Sequence, residues 1–371
     1  MDDLGIPKRV ADEIRVYANR KQTPLTIRQL YEFGVSNTVE MRLKAAKFLH
    51  CEIPVRLAHM ARNLESLPFG LSETPSVRRI RQLYIDSFKH MIDFPHPLTE
   101  SDEVAFTNLI DTMKNRHANV VPTMARGLRE LQEIHPREVE GEQIRHFLDR
   151  FYMSRIGIRM LIGQHIALHE ERTDDWVGII YPHTSPAEVA KVAAQQACDL
   201  CRVNYGTAPR VEIAGRTDLE FTYIPTHLHH MIFELIKNSL RATVEVHGED
   251  GPLPDVKIIV AGGSGSEDVT IKIADEGGGI PRSGVNRIWT YLYSTANIPM
   301  AMPGGGGEEV VAMAGYGYGL PVTRLYARYF GGDVQVISME GYGTDAYLYL
   351  NRLGTHQEVL PTEATLREDT A

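Results

Sequence analysis

Residues 229–242 read HHMIFELIKNSLRA, a run of strong helix formers with no glycine or proline. At about 100° per residue, His230, Glu234, Asn238 and Arg241 fall within an arc of roughly 80°. Met231, Ile232, Phe233, Leu235, Ile236 and Leu240 occupy roughly the next 200° of the same wheel. Such a helix is buried over most of its circumference, and its single polar stripe faces either solvent or a pocket. A solvent face is usually rich in Lys and Glu pairs. Here a carboxylate has an imidazole four residues before it and an amide four residues after it, which suits a pocket.

Around this helix the chain has ordinary globular composition. Its 371 residues are 43% hydrophobic and 23% charged, enough for two domains with sizeable cores. No run approaches the eighteen or so apolar residues that a membrane helix needs, so a soluble chain is expected. A net charge of −9 leaves no general footprint for nucleic acid. Among three cysteines only Cys198 and Cys201 lie close together, inside the helical pattern PAEVAKVAAQQACDLCRVNYG and without a second ligand pair. A disulfide framework is therefore not expected, nor a zinc site there. The opening MDDLGIPKRVADEIRVYANR is acidic at its start, unlike an import presequence, so any targeting segment is expected to lie outside this chain.

From about residue 8 to 170 apolar residues recur at spacings of three and four, as in TVEMRLKAAKFLHCEIPVRLAHMARNL, DEVAFTNLIDTMKNRHANVVPTMARGLRELQEI and GEQIRHFLDRFYMSRIGIRMLIGQHIALHEE. A helical bundle is expected over 1–176. The character then changes at ERTDDWVGIIYPHTSP. A long helix over 185–203 leads to the β-type runs RVEIAG, PDVKIIVAG, VTIKIADEG, GDVQVISME and TDAYLYLNRL, with LPVTRLYARYF as a further helix. Strands and helices mix without regular alternation, so the expected class is α+β, a mixed sheet with helices on one face, over 177–357. A polar C-terminal tail follows over 358–371.

Three glycine-rich segments come after the quoted helix: ADEGGGIPRSG (274–284), PGGGGEEVVAMAG (303–315) and GYGYGLP (315–321). None ends in the Gly-Lys-Ser/Thr of a P-loop, and GYGYG lacks Rossmann spacing. It does run directly into a helix start, where backbone N–H groups uncrowded by side chains make a phosphate site. An ordinary turn at positive φ is the plainer alternative. Asp275, ending a strand, could accept a hydrogen bond from an adenine amino group.

Taken together, ELIKN, DEGGG, a glycine-rich stretch and GYGYG occur in an order that resembles the ATP-binding module of histidine kinases, gyrase, mismatch-repair ATPases and heat-shock chaperones, the GHKL or Bergerat-type α/β sandwich. Over nearly its full length the chain resembles the mitochondrial protein kinases of 2-oxo-acid dehydrogenases. HLHHMIFELIKNSLRATVE, DEGGGIPRSGVNRIWTYLYSTA, AGYGYGLPVTRLYARYFGGDVQ, RHANVVPTMARG and FLDRFYMSRIGIRMLIGQH are similar to the pyruvate dehydrogenase kinase branch.

The resemblance implies an ATP- and Mg²⁺-dependent serine kinase acting on the decarboxylase component of the pyruvate dehydrogenase complex. Glu234 would be the general base, tuned by His230, and Asn238 the Mg²⁺ ligand. Arg241 would lie along the phosphates. Asp275, Gly277, Gly279 and Thr344 would hold the adenine, and Ser294 and Thr295 would border a lid over about 297–314. Gly315, Tyr316, Gly317, Tyr318, Gly319 and Leu320 would cap the phosphates. In the helical domain, Tyr84, His117, Arg155 and Arg159 match a pyruvate-type inhibitor pocket, although Lys114 stands where animal relatives have Arg. Implied partners are the lipoyl domain of the acyltransferase core and a second copy of the chain, in the mitochondrial matrix. The tail lacks the Asp-Trp pair that closes animal members.

Three other readings compete. A branched-chain 2-oxo-acid dehydrogenase kinase differs only in substrate. A conformational ATPase would need a further domain after the ATP module, where about twenty residues are expected after the last strand. A histidine kinase generally has Asn where Glu234 stands. A catalytically dead scaffold conflicts with the intact Glu234, Asn238, Asp275 and GYGYG set. His165 and His169, four apart on one helix, show no third ligand in the sequence and read as structural.

Overall fold

Side-chain capping explains where a few of the helices begin. Among the residues that the computed structural model describes, 7–170, 175–248, 251–263, 265–293 and 317–360, the first seven helices are α1 (Lys8–Ala18), α2 (Ile27–Gly34), α3 (Val39–Asn63), α4 (Pro75–Asp93), α5 (Glu100–Arg116), α6 (Val120–Ile134) and α7 (Glu142–Ala167). Thr38 caps α3 by accepting from the Met41 amide. Thr99 and Asp102 cap α5 reciprocally, each side chain accepting from the other's backbone N–H. The single helical pattern expected from 102 to 134 breaks at His117. There the backbone leaves the helix, and the His117 carbonyl accepts from Arg155 Nη2 at 2.8 Å.

The remaining elements are β1 (Tyr181–Thr184), α8 (Pro186–Tyr205), β2 (Val211–Gly215), β3 (Phe221–Tyr223), α9 (Pro225–His247), β4 (Val256–Ala261), β5 (Asp268–Asp275), α10 (Gly319–Tyr329), β6 (Asp333–Met339) and β7 (Gly343–Asn351). A five-stranded sheet runs in the order β2-β4-β5-β7-β6. Its β2–β4 pair is parallel and the other three pairs are antiparallel. Strand alternation decides which face is covered. Val256, Ile258 and Val260 of β4, Val269, Ile271 and Ile273 of β5, and Leu348 and Leu350 of β7 are buried. Helices α8, α9 and α10 pack with these strands and with one another. Of the alternate positions, Ile259 of β4 and Ile337 of β6 are exposed, while Thr270, Lys272 and Ala274 of β5 and Asp345, Tyr347 and Tyr349 of β7 are half-buried. The fold is thus α+β, a helical region followed by a mixed sheet with helices on one face. A small antiparallel ribbon of β1 and β3, not expected from the sequence, stands apart from this sheet.

The chain divides into two compact units. One comprises 26–28 and 180–357; the helical unit comprises the described residues on either side of that stretch, including 358–360. In the helical unit Glu358 is buried and clasps Arg56 through both oxygens, at 2.6 and 2.9 Å, while Glu52 accepts from Arg56 Nε at 2.8 Å. The expected tail beyond residue 360 lies outside the described residues.

Candidate active site

Helix α9 carries the polar stripe. His230, Glu234, Asn238 and Arg241 are each half-buried, while Met231, Ile232, Leu235, Ile236 and Leu240 are at most 2% exposed. Glu234 Oε1 accepts from Lys237 Nζ at 2.8 Å. Lys237 is itself buried, with its ammonium 5.7 Å from the Phe233 ring centroid. Three residues apart on a helix, the two side chains meet on one face. Lys237 did not emerge from the sequence reading, although its spacing from Glu234 was the available signal. The His230 ring packs against Tyr326 with centroids 5.0 Å apart. Arg241 Nε lies 3.9 Å from Glu245, which also accepts from the Tyr205 hydroxyl at 3.0 Å.

The other carboxylate oxygen of Glu234 faces the start of α10. A Cβ built on Gly319 would collide with Glu234 Oε2, so glycine there lets helix backbone and carboxylate share one space. Just before it, Gly317 adopts φ +73° against the backbone of Leu292 and Tyr293. Tyr318 is buried with its ring 5.2 Å from Tyr291, and Leu320 is half-buried. Ser294, Thr295, Gly315, Tyr316 and the lid expected over 297–314 lie outside the described residues.

Asp275, the last residue of β5, pairs in register with Thr344 of β7. Its Oδ1 accepts from the amides of Gly277, at 3.0 Å, and Thr344, at 3.3 Å. Burial pushes the Asp275 carboxyl above its usual range, and hydrogen bonds from Ser239 of α9, Gly277 and Thr344 oppose that rise. Gly277 lies against α9, where a Cβ would come within 2.6 Å of Ala242 Cβ. Gly279, at φ +70°, lies against the Met339 carbonyl. The end of β5, the middle of α9 and the start of α10 therefore converge, bringing Asp275, Gly277, Thr344, Glu234 and Gly319 to one region. An anionic ligand with a flat base fits this donor set: uncrowded amides at a helix start and a buried acceptor at a strand end.

In the helical unit, Tyr84, His117, Arg155 and Arg159 line one small cavity with Leu57 and Met113, with room for about one water. The His117 ring stands edge-on to Tyr84 at 4.7 Å, and its Nε2 lies 2.8 Å from Ser87 Oγ. Burial first, then the positive charges of Arg155, Arg116 and Arg159, push the His117 imidazole down to about 3, so it is neutral at physiological pH. A second cavity of about 580 Å³ opens among α2, α3 and α7, lined largely by apolar side chains such as Leu30, Phe33, Phe48, Leu49 and Leu161. Cys198 and Cys201 are buried on α8, and burial pushes the Cys201 thiol up to about 11, which leaves it unreactive at neutral pH.

Comparison with known proteins follows the same division of the chain. A family model described as mitochondrial branched-chain alpha-ketoacid dehydrogenase kinase matches residues 24–181. One described as histidine kinase-, DNA gyrase B-, and HSP90-like ATPase matches 223–353. A mitochondrial pyruvate dehydrogenase (acetyl-transferring) kinase of Arabidopsis thaliana is 50% identical over 359 residues, covering 96% of this chain and 97% of the relative. Isozyme 1 of the same kinase from Mus musculus is 39% identical, covering 97% and 83%. The Ascaris suum kinase is 40% identical, covering 96% and 90%.

Proposed function

Because this chain belongs to the mitochondrial pyruvate dehydrogenase kinase family, we propose that it transfers phosphate from ATP to a serine of the decarboxylase component of the pyruvate dehydrogenase complex, inactivating it. One observation carries the assignment of roles: the Glu234 carboxylate is presented to the backbone that opens α10, where phosphate-binding amides would lie. Glu234 would take the proton of the attacking serine hydroxyl, a contribution of about 10²–10⁴ in rate. Lys237 holds one of its oxygens in place and leaves the other turned to Gly319. Asn238, one turn on from Glu234, would offer its amide oxygen to Mg²⁺, with Arg241 along the phosphates. When bound, Mg·ATP supplies the phosphoryl group and the counter-charge for its transfer. Asp275 would accept from the adenine amino group while Gly277 and Gly279 let the backbone approach.

The apolar cavity among α2, α3 and α7 supports docking of the lipoyl domain, because a lipoyl-lysine arm is long and mostly hydrocarbon and suits a pocket of this size and lining. Tyr84, His117, Arg155 and Arg159 would take a small carboxylate inhibitor once their side chains part, since the cavity as it stands holds about one water. The uncovered face of the sheet, with Ile259 and Ile337 exposed, supports a homodimer. The relatives are named as mitochondrial proteins, and no helix of the described residues is long and apolar enough to cross a membrane. Mitochondria are therefore the compartment we assign.

Replacing Glu234 by Gln tests the role of the base. The variant is expected to bind ATP like the unmodified chain and to lose most transfer of radiolabelled phosphate to the purified decarboxylase. Near-normal transfer would refute the assignment. Acid-stable label on serine, rather than acid-labile label on histidine, checks the reaction class.

A further inference from the structure

Helices α5 and α7 bring together a set of donors that the kinase reading does not use. His165 and His169 sit one turn apart on α7, and the fold sets Glu103 of α5 against both. Glu103 Oε1 lies 3.1 Å from His165 Nε2 and 2.8 Å from His169 Nε2. Thr107, one turn after Glu103, places its Oγ1 2.9 Å from His165 Nε2, 3.3 Å from His169 Nε2 and 3.3 Å from Glu103 Oε1. Four donor atoms thus have five of their six separations between 2.8 and 3.3 Å. The sixth, between the two imidazole nitrogens, is within 4.8 Å.

The five short separations fall at or somewhat below the edge of a tetrahedron of metal ligands. Four ligands bonded to a central ion at about 2.0–2.1 Å stand about 3.3 Å apart. Without an ion the same atoms can hydrogen-bond, both Nε2–H groups donating to Glu103 Oε1, so an ion that enters must displace those two protons. The Thr107 proton has another acceptor in the Glu103 carbonyl, at 3.0 Å, which leaves the oxygen lone pairs free for the cluster.

Glu103 and His165 are each 1% exposed at the side chain, whereas His169 is 25% exposed and gives an ion access from solvent. We propose that Glu103, His165 and His169, with Thr107 or a water as fourth ligand, form a site for a divalent first-row transition metal ion, Zn²⁺ being the best match to two imidazoles and a carboxylate in tetrahedral array. The bound ion ties α5 to α7 beside the apolar cavity, which His165 also lines. His165 Nδ1 is buried without a hydrogen-bond partner, so the acceptor that usually strengthens a ligating imidazole is missing. Affinity is expected to be about 10–100-fold below that of a fully buttressed site.

Isothermal titration of the full chain with zinc chloride, beside the variants His169→Ala and Glu103→Gln, tests this directly. The unmodified chain is expected to take up one equivalent more than either variant and to melt at a higher temperature with zinc than with a chelator. His50, Cys51 and His96 also lie near one another, and any ion they bind is common to all three proteins, so only the difference counts. Cobalt(II) is expected to give the visible absorption of a tetrahedral site in the unmodified chain and to lose it in His169→Ala, which alters a partly exposed position and leaves the fold intact. Equal zinc stoichiometry and affinity in all three proteins, or no zinc uptake by the unmodified chain, overturns the proposal.

Discussion

Gly319 and Glu234 are separated widely in sequence yet compete for one volume, and this makes a sharp test at the scale of the residue. Gly319 is the first residue of α10, where alanine has little advantage over glycine, so Gly319→Ala is expected to leave the melting temperature nearly unchanged once the flexible Glu234 side chain has moved. The same methyl group meets Glu234 Oε2 and displaces the carboxylate. Phosphate transfer is therefore expected to fall by about tenfold or more while the fold is preserved, as for a general base moved out of reach. Calorimetry and a transfer assay on one preparation check both halves. Equal activity would show that the carboxylate can work from elsewhere. The residue scale is also where the sequence is least explicit. Lys237 follows from helical spacing, but Glu103 meets the two histidines only through packing of α5 on α7, which no periodicity announces.

At the scale of the element, α5 depends on its reciprocal cap. Thr99→Ala removes the hydroxyl that accepts from the Asp102 amide and is expected to cost about 1 kcal/mol, read as a lower denaturant midpoint with unchanged slope. Elements with a strong period were legible from the sequence. Buried positions alternate with exposed ones along β4 and with half-buried ones along most of β5, and α9 shows its polar stripe against an apolar remainder. Two kinds of element were not. The ribbon of β1 and β3 uses strands of four and three residues, too short to display alternation. The break between α5 and α6 has no glycine or proline within 117–119, but Pro122 in the first turn of α6 forbids one continuous helix, and Arg155 from α7 holds the His117 carbonyl there. Of the candidate site, the α9 stripe and Asp275 were legible as residue types in a pattern. Their convergence with Gly319 depended on the sheet order.

For the whole molecule, buried ionisable groups make stability depend on pH. His117 is neutral in the folded chain down to about 3, whereas an unfolded imidazole takes up its proton near 6.5. Below about 6.5 the unfolded state binds a proton that the folded state does not. His117 therefore contributes stability that is fully present above that pH and is lost as the pH falls toward 3, at about 1.4 kcal/mol per pH unit. Denaturation at pH 6, 5 and 4 is expected to approach this slope, and His117→Asn is expected to reduce it, while the buried His227, also pushed down to about 3, keeps a share of its own.

Glu358 is a second whole-molecule determinant. Removing its carboxylate takes two charged hydrogen bonds from the buried Arg56, so Glu358→Ala is expected to destabilise the helical unit by about 3 kcal/mol, measurable by denaturant titration.

The Arg56–Glu358 clasp also bears on the order in which this protein can be completed. Its two partners are 302 residues apart, so a chain emerging from a ribosome at about 5–20 residues per second exposes Arg56 some 15–60 seconds before Glu358 arrives. During that interval the helical unit holds a guanidinium that has yet to meet its second carboxylate, and the whole nucleotide-binding half must be made before it does. Polypeptides that stop before residue 358 lack this last latch, and limited proteolysis is expected to cut their helical unit faster than that of the full chain.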